Sequence, residues 1–164
     1  MSGVIEMKLS KWKPYIISAA IALAVGAISG FLSMKGMKIY EATALKPALT
    51  PPGWVFAVVW TILYTLMGIS AARVWMAQGS PERSKGLNLY VAQLIVNFFW
   101  SLIFFNAQAF GFAVIWLLLL WALVLLMVLE FYKVDKLSAF LQIPYLVWLT
   151  FALYLNIGVW YLNG

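Results

Sequence analysis

The chain is organised around one stretch, Asn97-Phe98-Phe99-Trp100-Ser101-Leu102-Ile103-Phe104-Phe105. It is almost wholly apolar, yet it carries an amide and an indole three residues apart. On a helix with about 3.6 residues per turn, Asn97 and Trp100 share a face, and Gln93 extends that face by one turn. Two amides on one face of a hydrophobic helix are costly unless the face points away from lipid. The stretch therefore predicts a membrane helix that lines a protein interior, a wet cavity or a ligand pocket.

The composition of the whole chain also favours a membrane protein. Of its 164 residues, 65% are hydrophobic and only 10% are charged, whereas soluble domains average about 45–50% apolar and about 25% charged residues. Long apolar runs separated by charged or Gly/Pro-rich stretches favour helices of about 20 residues over barrel strands. We therefore expect an all-α integral membrane protein, a single bundle of five transmembrane helices. The expected spans are about 14–33, 54–76, 87–105, 111–131 and 137–162.

Several kinds of site are excluded by residue type. The chain contains neither cysteine nor histidine, which excludes disulfides, Cys/His zinc sites and His or Cys ligands to haem iron. No serine has a histidine to activate it, and Glu130 and Asp135 are interpreted as solvated charges at a helix end and in a loop. The net charge of +6 is scattered among loops with no basic face, so nucleic acid is not an expected partner. No catalytic residue, metal site or required cofactor is predicted.

Lysine and arginine positions predict the orientation in the membrane. Eight of the eleven are expected on the same side of the membrane as the N-terminus. They are Lys8, Lys11, Lys13, Arg73, Arg83, Lys85, Lys133 and Lys136. Lys35, Lys38 and Lys46 fall in the first loop, expected over residues 34–52, on the other side. Because cytoplasmic loops carry the excess, we expect the N-terminus in the cytoplasm and the C-terminus on the opposite side.

Other patterns concern the first and fourth spans. Ala22, Gly26 and Gly30 recur every four residues, a spacing that permits close helix approach. Packing inside one subunit is the favoured interpretation, ahead of a dimer seam. The fourth span is dominated by Leu, Val and Trp, and its composition is the least typical of a pocket.

Three spans each carry a polar or aromatic stripe on one face. The stripes are Trp60 with Tyr64, Asn97 with Trp100, and Tyr145 with Trp148 and Ala152. If the stripes converge, they form a pocket with flat aromatic walls and few hydrogen-bonding groups, suited to a large planar apolar ligand. The alternative is ordinary helix packing, with the amides satisfied by interhelical hydrogen bonds.

The same residues resemble the signature of the translocator protein family, which includes tryptophan-rich sensory proteins and peripheral benzodiazepine receptors. The similar segments are Lys46-Pro47, Thr50-Pro51-Pro52-Gly53-Trp54-Val55-Phe56, Val59-Trp60-Thr61-Ile62-Leu63-Tyr64, Met67-Gly68, Asn97 to Phe105, and Pro144-Tyr145-Leu146-Val147-Trp148 to Asn156. The similarity runs in order from about residue 40 to the C-terminus.

The resemblance implies a five-helix bundle, commonly a homodimer in the lipid bilayer, that binds porphyrin, haem and other tetrapyrroles and in some members sterols or benzodiazepine-type ligands. Its pocket would lie under the first loop. The implied ligand-binding residues are Tyr40, Pro51, Phe56, Trp60, Tyr64, Asn97, Trp100, Trp148 and Ala152. Some relatives degrade porphyrin in light, and Trp60 and Trp148 would then be the catalytic tryptophans.

Departures from the family pattern fall at the mouth of the implied pocket. Leu49 and Ile39 stand where the family usually has tryptophan, and Val58 replaces a frequent proline. The C-terminus lacks the basic residue of the sterol-recognition pattern.

The leading hypothesis is a tetrapyrrole-binding sensor, regulator or carrier. The alternatives are a light-dependent porphyrin-degrading enzyme and a transporter of another small apolar ligand such as a lipid.

Overall fold

A computed structural model describes the backbone of residues 2–164 and the side chains of residues 11–164, so Lys8 lies outside the described side chains. The helices are α1 (Ser2–Thr43), α2 (Gly53–Met76), α3 (Pro81–Ser101, continued by a π-helical turn over Leu102–Asn106), α4 (Phe110–Val134) and α5 (Lys136–Asn163). In the described part of the chain, five helices are long and apolar enough to cross a membrane. The predicted all-α bundle is thereby confirmed.

The helices extend well beyond the expected spans at three places. α1 begins at Ser2, whereas its expected start is at about residue 14. Residues 34–43, expected in a loop, continue α1, because the charges that follow the apolar run mark the membrane boundary and do not end the helix. α3 begins at Pro81, six residues before the expected start. Ser80 caps it by accepting a hydrogen bond from the Arg83 amide (3.1 Å), and Pro81 suits the first turn, where no amide partner is needed.

The helices form a ring in the order α1, α2, α5, α4, α3. α1 packs against α2 and α3, α2 also packs against α5, and α4 lies between α3 and α5. α1 and α2 approach so closely that there is no room for a Cβ at two glycines. A Cβ on Gly68 would meet the backbone of Ala19, and one on Gly26 would meet the Tyr64 ring. Gly26 therefore serves packing within one subunit, as expected from its spacing.

Ion pairs join the helices at the end of the bundle where α2 ends and α5 begins. Arg73 contacts Asp135 (2.7 Å), and Glu130 contacts both Lys85 (2.7 Å) and Lys133 (3.0 Å). The interpretation of Glu130 and Asp135 as solvated charges is wrong: their side chains are only 7% and 25% exposed. Each carboxylate is paired with a cation from another helix, Arg73 of α2 for Asp135 and Lys85 of α3 for Glu130.

Candidate functional site

The loop over residues 44–52 crosses the other end of the bundle and is fastened to α5. The Asn163 side chain accepts a hydrogen bond from the Leu45 amide (2.8 Å) and donates one to the Leu45 carbonyl (2.9 Å). The Tyr154 hydroxyl donates to the Ala48 carbonyl (2.9 Å). Leu49 adopts a positive φ of 68°, which turns the chain toward the prolines that precede α2. The loop therefore forms a strap across this end.

Under the strap lies a cavity of about 1,100 Å³ between α1, α2, α3 and α5. All nine residues expected at the ligand site line it: Tyr40, Pro51, Phe56, Trp60, Tyr64, Asn97, Trp100, Trp148 and Ala152. Tyr40 reaches it from the last turns of α1, in the segment expected to be loop. Among the residues that the structure describes, none from α4 lines the cavity, in keeping with the composition of that helix.

The floor of the cavity joins α2 to α3. The Asn97 side chain donates a hydrogen bond to the Tyr64 hydroxyl (3.2 Å), and both residues are almost completely buried. The Trp60 ring packs on Tyr64 with a centroid distance of 5.5 Å, and it meets the Tyr145 ring edge-on at 6.1 Å. The Asn97 amide is thus joined, through the Tyr64 hydroxyl, to a cluster of three aromatic rings.

The wall between α3 and α5 contains a second amide. The Trp100 indole N–H donates to Asn156 Oδ1 (3.3 Å), and Asn156 Nδ2 donates to the Phe110 carbonyl (3.0 Å). Trp100 also stacks on Phe104, with a centroid distance of 5.0 Å and an interplanar angle of 21°. Phe104 belongs to the π-helical turn, and a π turn of this kind often marks a functional site.

The wall between α2 and α5 contains Trp148. Its ring meets Phe56 edge-on at 5.7 Å and Phe151 at 5.5 Å. Within the described part of the chain, the buried indole N–H of Trp148 has no hydrogen-bond partner. Buried donors are normally paired, so this wall holds a hydrogen-bonding group that the protein itself leaves unused.

The geometry separates the two interpretations of the polar-aromatic stripes. Interhelical hydrogen bonds do engage the side chains of Asn97 and Asn156, as the packing alternative expects. However, close-packed interiors contain few voids larger than a water molecule, and a void of about 1,100 Å³ exceeds any packing defect. The stripes therefore converge on a space large enough for a ligand.

Comparison with known proteins agrees with this architecture. The chain matches the TspO/MBR family over residues 18–162. The chain belongs to the TspO/MBR family. It is 37% identical over 147 residues to the tryptophan-rich protein TspO of Chlorobaculum tepidum, covering 87% of this chain and 91% of the relative. It is 37% identical over 162 residues to protein CrtK of Rhodobacter capsulatus (96% and 95% covered) and 36% identical over 154 residues to the human translocator protein (91% and 89%).

Membership of the TspO/MBR family and the five spanning helices together show an integral, multi-pass membrane protein. The resemblance read from the second, third and fifth helices is confirmed. The lipid bilayer is accordingly the environment of the outer faces of the helices, on which large apolar side chains such as Trp54, Ile115 and Val147 are exposed.

The sequence did not predict most of the α1 side of this cavity. The α1 lining consists of Leu23, Gly26, Ala27, Ser29, Gly30, Met37, Tyr40 and Glu41. The four-residue spacing of Gly26 and Gly30 could have indicated this lining, because it places both glycines on one face of α1. That spacing predicts close packing equally well, and only Gly26 packs; a Cβ on Gly30 would meet no atom within 4 Å.

Proposed function

We propose that this TspO/MBR-family protein binds a tetrapyrrole, either a porphyrin or haem, in the cavity and acts as a sensor, regulator or carrier in the membrane. The observation that carries the proposal is the cavity of about 1,100 Å³ with aromatic walls on three helices. Drug-sized ligands occupy pockets of about 300–1,000 Å³, so this space suits a ligand at or above the upper end of that range.

The chemistry of the walls supports a planar ligand. Trp60, Trp100 and Trp148 present rings from α2, α3 and α5, and aromatic groups pair best in offset-stacked or edge-to-face arrangements. Trp148 also carries an indole N–H that has no partner among the described residues, which favours a ligand that can accept a hydrogen bond. Since the chain has no histidine or cysteine, we expect similar affinity for haem and for the metal-free ring.

The test is a titration of purified protein with protoporphyrin IX, followed by quenching of tryptophan fluorescence. We expect saturable binding with Kd near 1 μM, about −8 kcal/mol. The double variant Asn97→Ala, Trp148→Ala should bind at least tenfold more weakly, because it removes part of the floor and one wall. Trp54→Ala is the matched control, since Trp54 is 69% exposed and lies outside the lining. An unchanged Kd in the double variant would refute the proposed site.

A second candidate function is light-dependent degradation of the bound porphyrin. It is favoured by the position of Trp60 and Trp148, both of which line the cavity and could react with an excited ligand. Loss of the porphyrin absorption band under illumination measures this activity. If the variant Trp60→Phe, Trp148→Phe bleaches the porphyrin as fast as the unaltered protein does, this function is dismissed.

We further propose two properties implied by the family resemblance. One is a homodimer, to be checked by the mass of the protein in detergent, corrected for bound detergent. The other, as the alternative to a binder, is transport of a small apolar solute such as a lipid. Directional uptake into sealed vesicles separates a transporter from a protein that binds without moving its ligand.

A further inference from the structure

The charge on the cavity wall is confined to its mouth. Of the described residues that line the cavity, only Glu41 and Lys46 are charged. Both lie where α1 ends and the strap begins, at the opposite end of the cavity from the Asn97–Tyr64 floor. A ligand that carries charge can therefore find an oppositely charged partner only at the mouth.

The acid at the mouth already has favourable surroundings. Glu41 Oε1 lies beside Gly53, the first residue of α2, at 3.3 Å from where a Cβ of Gly53 would be. The N-terminus of a helix carries unpaired N–H groups and a partial positive charge. The Glu41 carboxylate thus lies next to the partial positive charge at the start of α2.

The lysine at the mouth is comparatively free. The Lys46 ammonium lies 5.4 Å from the centroid of the Tyr40 ring, a cation–π contact that orients the ammonium but does not neutralise it. Within the part of the chain whose side chains are described, no carboxylate lies within 4.0 Å of Lys46. Lys46 is also exposed, so an incoming anion reaches it with little rearrangement.

We propose that Lys46 binds a carboxylate on the edge of the ligand. This proposal rests on the function proposed above and specifies its ligand class: a planar apolar acid whose ring enters the cavity and whose acidic edge stays at the mouth. A wholly apolar ligand would make no use of Lys46. The lysine therefore determines both which ligands are preferred and which edge enters last.

The experiment compares protoporphyrin IX with its dimethyl ester, which keeps the ring and removes the charge. Kd is measured for both compounds in a neutral detergent. We expect the unaltered protein to bind the acid at least tenfold more tightly than the ester. Lys46→Gln should bind the two compounds equally, with its ester affinity unchanged, and Lys46→Arg should keep the preference. Added salt should weaken binding of the acid only.

Glu41→Gln is the matched control, because it alters the other charge on the same rim. It should bind the acid as tightly as the unaltered protein or more tightly. If the unaltered protein binds acid and ester equally, or if Glu41→Gln abolishes the preference as Lys46→Gln does, the assignment to Lys46 is overturned. If neither compound binds any of these proteins, the proposed tetrapyrrole function fails instead.

Discussion

At the scale of single residues, two buried polar side chains of α5 differ in whether they have a hydrogen-bond partner. The Tyr145 hydroxyl donates a hydrogen bond to Gln93 Oε1 (2.9 Å), and both residues are at most 1% exposed. Gln142 lies one turn earlier on α5 and is 0% exposed, yet neither atom of its amide has a partner in the described part of the chain. One polar group is thus satisfied and the other is not.

Tyr145→Phe is expected to destabilise the protein by about 1–3 kcal/mol, because it leaves Gln93 Oε1 buried without its donor. The free energy of unfolding can be measured by circular dichroism during denaturation in detergent. A variant as stable as the unaltered protein would show that Gln93 readily finds another donor.

Gln142→Leu is expected to change the free energy of unfolding in the opposite direction. It removes two buried unpaired polar atoms while keeping most of the side-chain volume, and relief of their desolvation should raise the free energy of unfolding by about 1 kcal/mol or more. The same denaturation experiment measures the change. A loss of stability would contradict the expectation and would point to an internal water bound by the amide.

The sequence predicted which face of each helix a residue lies on, but it did not predict the hydrogen bonds between helices. The spacing of Asn97 and Trp100 correctly predicted a polar face turned from lipid, because helical periodicity is local. The Tyr64 and Asn156 partners of these side chains lie on other helices. Such pairings depend on which helices are neighbours, and periodicity within one helix carries no information about that.

At the scale of elements, the contact between α1 and α2 depends on glycine at selected positions. We expect Gly68→Ala to cost about 1–3 kcal/mol, because its Cβ would meet the Ala19 backbone, which cannot rotate away. Gly30→Ala is the control: its Cβ meets no atom within 4 Å, and alanine favours a helix by about 1 kcal/mol over glycine. Thermal denaturation in detergent should therefore lower Tm for the first variant only; equal Tm values would contradict the packing.

Asp135 holds the junction between α4 and α5. It accepts hydrogen bonds from Arg73 (2.7 and 3.1 Å) and from the Ser138 amide (3.1 Å), and it contacts the Ser138 hydroxyl. The Arg73 guanidinium, aided by Ser138, lowers the pKa of the Asp135 carboxyl to about 2. The charged carboxylate therefore stabilises the folded state at neutral pH.

The pH dependence of stability should reflect this pairing. A carboxyl whose pKa is lower when folded stabilises the protein above its unfolded pKa, near 4, and loses that contribution as pH falls toward 2. With solvent screening we expect about 1–2 kcal/mol. Asp135→Asn keeps a capping side chain but loses the charge, so its stability deficit, measured by denaturation from pH 6 to pH 2, should shrink at the acid end. A constant deficit would contradict the linkage.

Helix ends could be predicted from the sequence where proline removes a backbone N–H. They could not be predicted where only the polarity of the side chains changes. The prolines before Gly53 correctly marked the start of α2. The lysines of residues 34–43 and the charges after Pro81 were interpreted as loop, yet these segments are helical. Hydropathy reports where the lipid ends, and a helix continues into water as long as its hydrogen bonds are satisfied.

At the scale of the whole molecule, the cavity results from the order of the helices in the ring. α4 lies between α3 and α5, while α1, α2, α3 and α5 surround the open space. Helix number and the stripes on three helices followed from the sequence alone. The participation of α1 did not, because small residues on a helix face predict close packing and an open cavity wall equally well.

The orientation of the whole protein in the membrane can be tested because the chain contains no cysteine. The Arg73–Asp135 and Glu130 ion pairs place much of the positive charge at one end of the bundle, and cytoplasmic loops carry the excess of such charge. We therefore expect Gln78, between α2 and α3, in the cytoplasm and Leu49, in the strap, on the other side. A membrane-impermeant maleimide should label Leu49→Cys in intact cells and Gln78→Cys only in inverted vesicles. The reverse pattern would turn the protein over, and with it the side of the membrane from which an acidic ligand reaches Lys46.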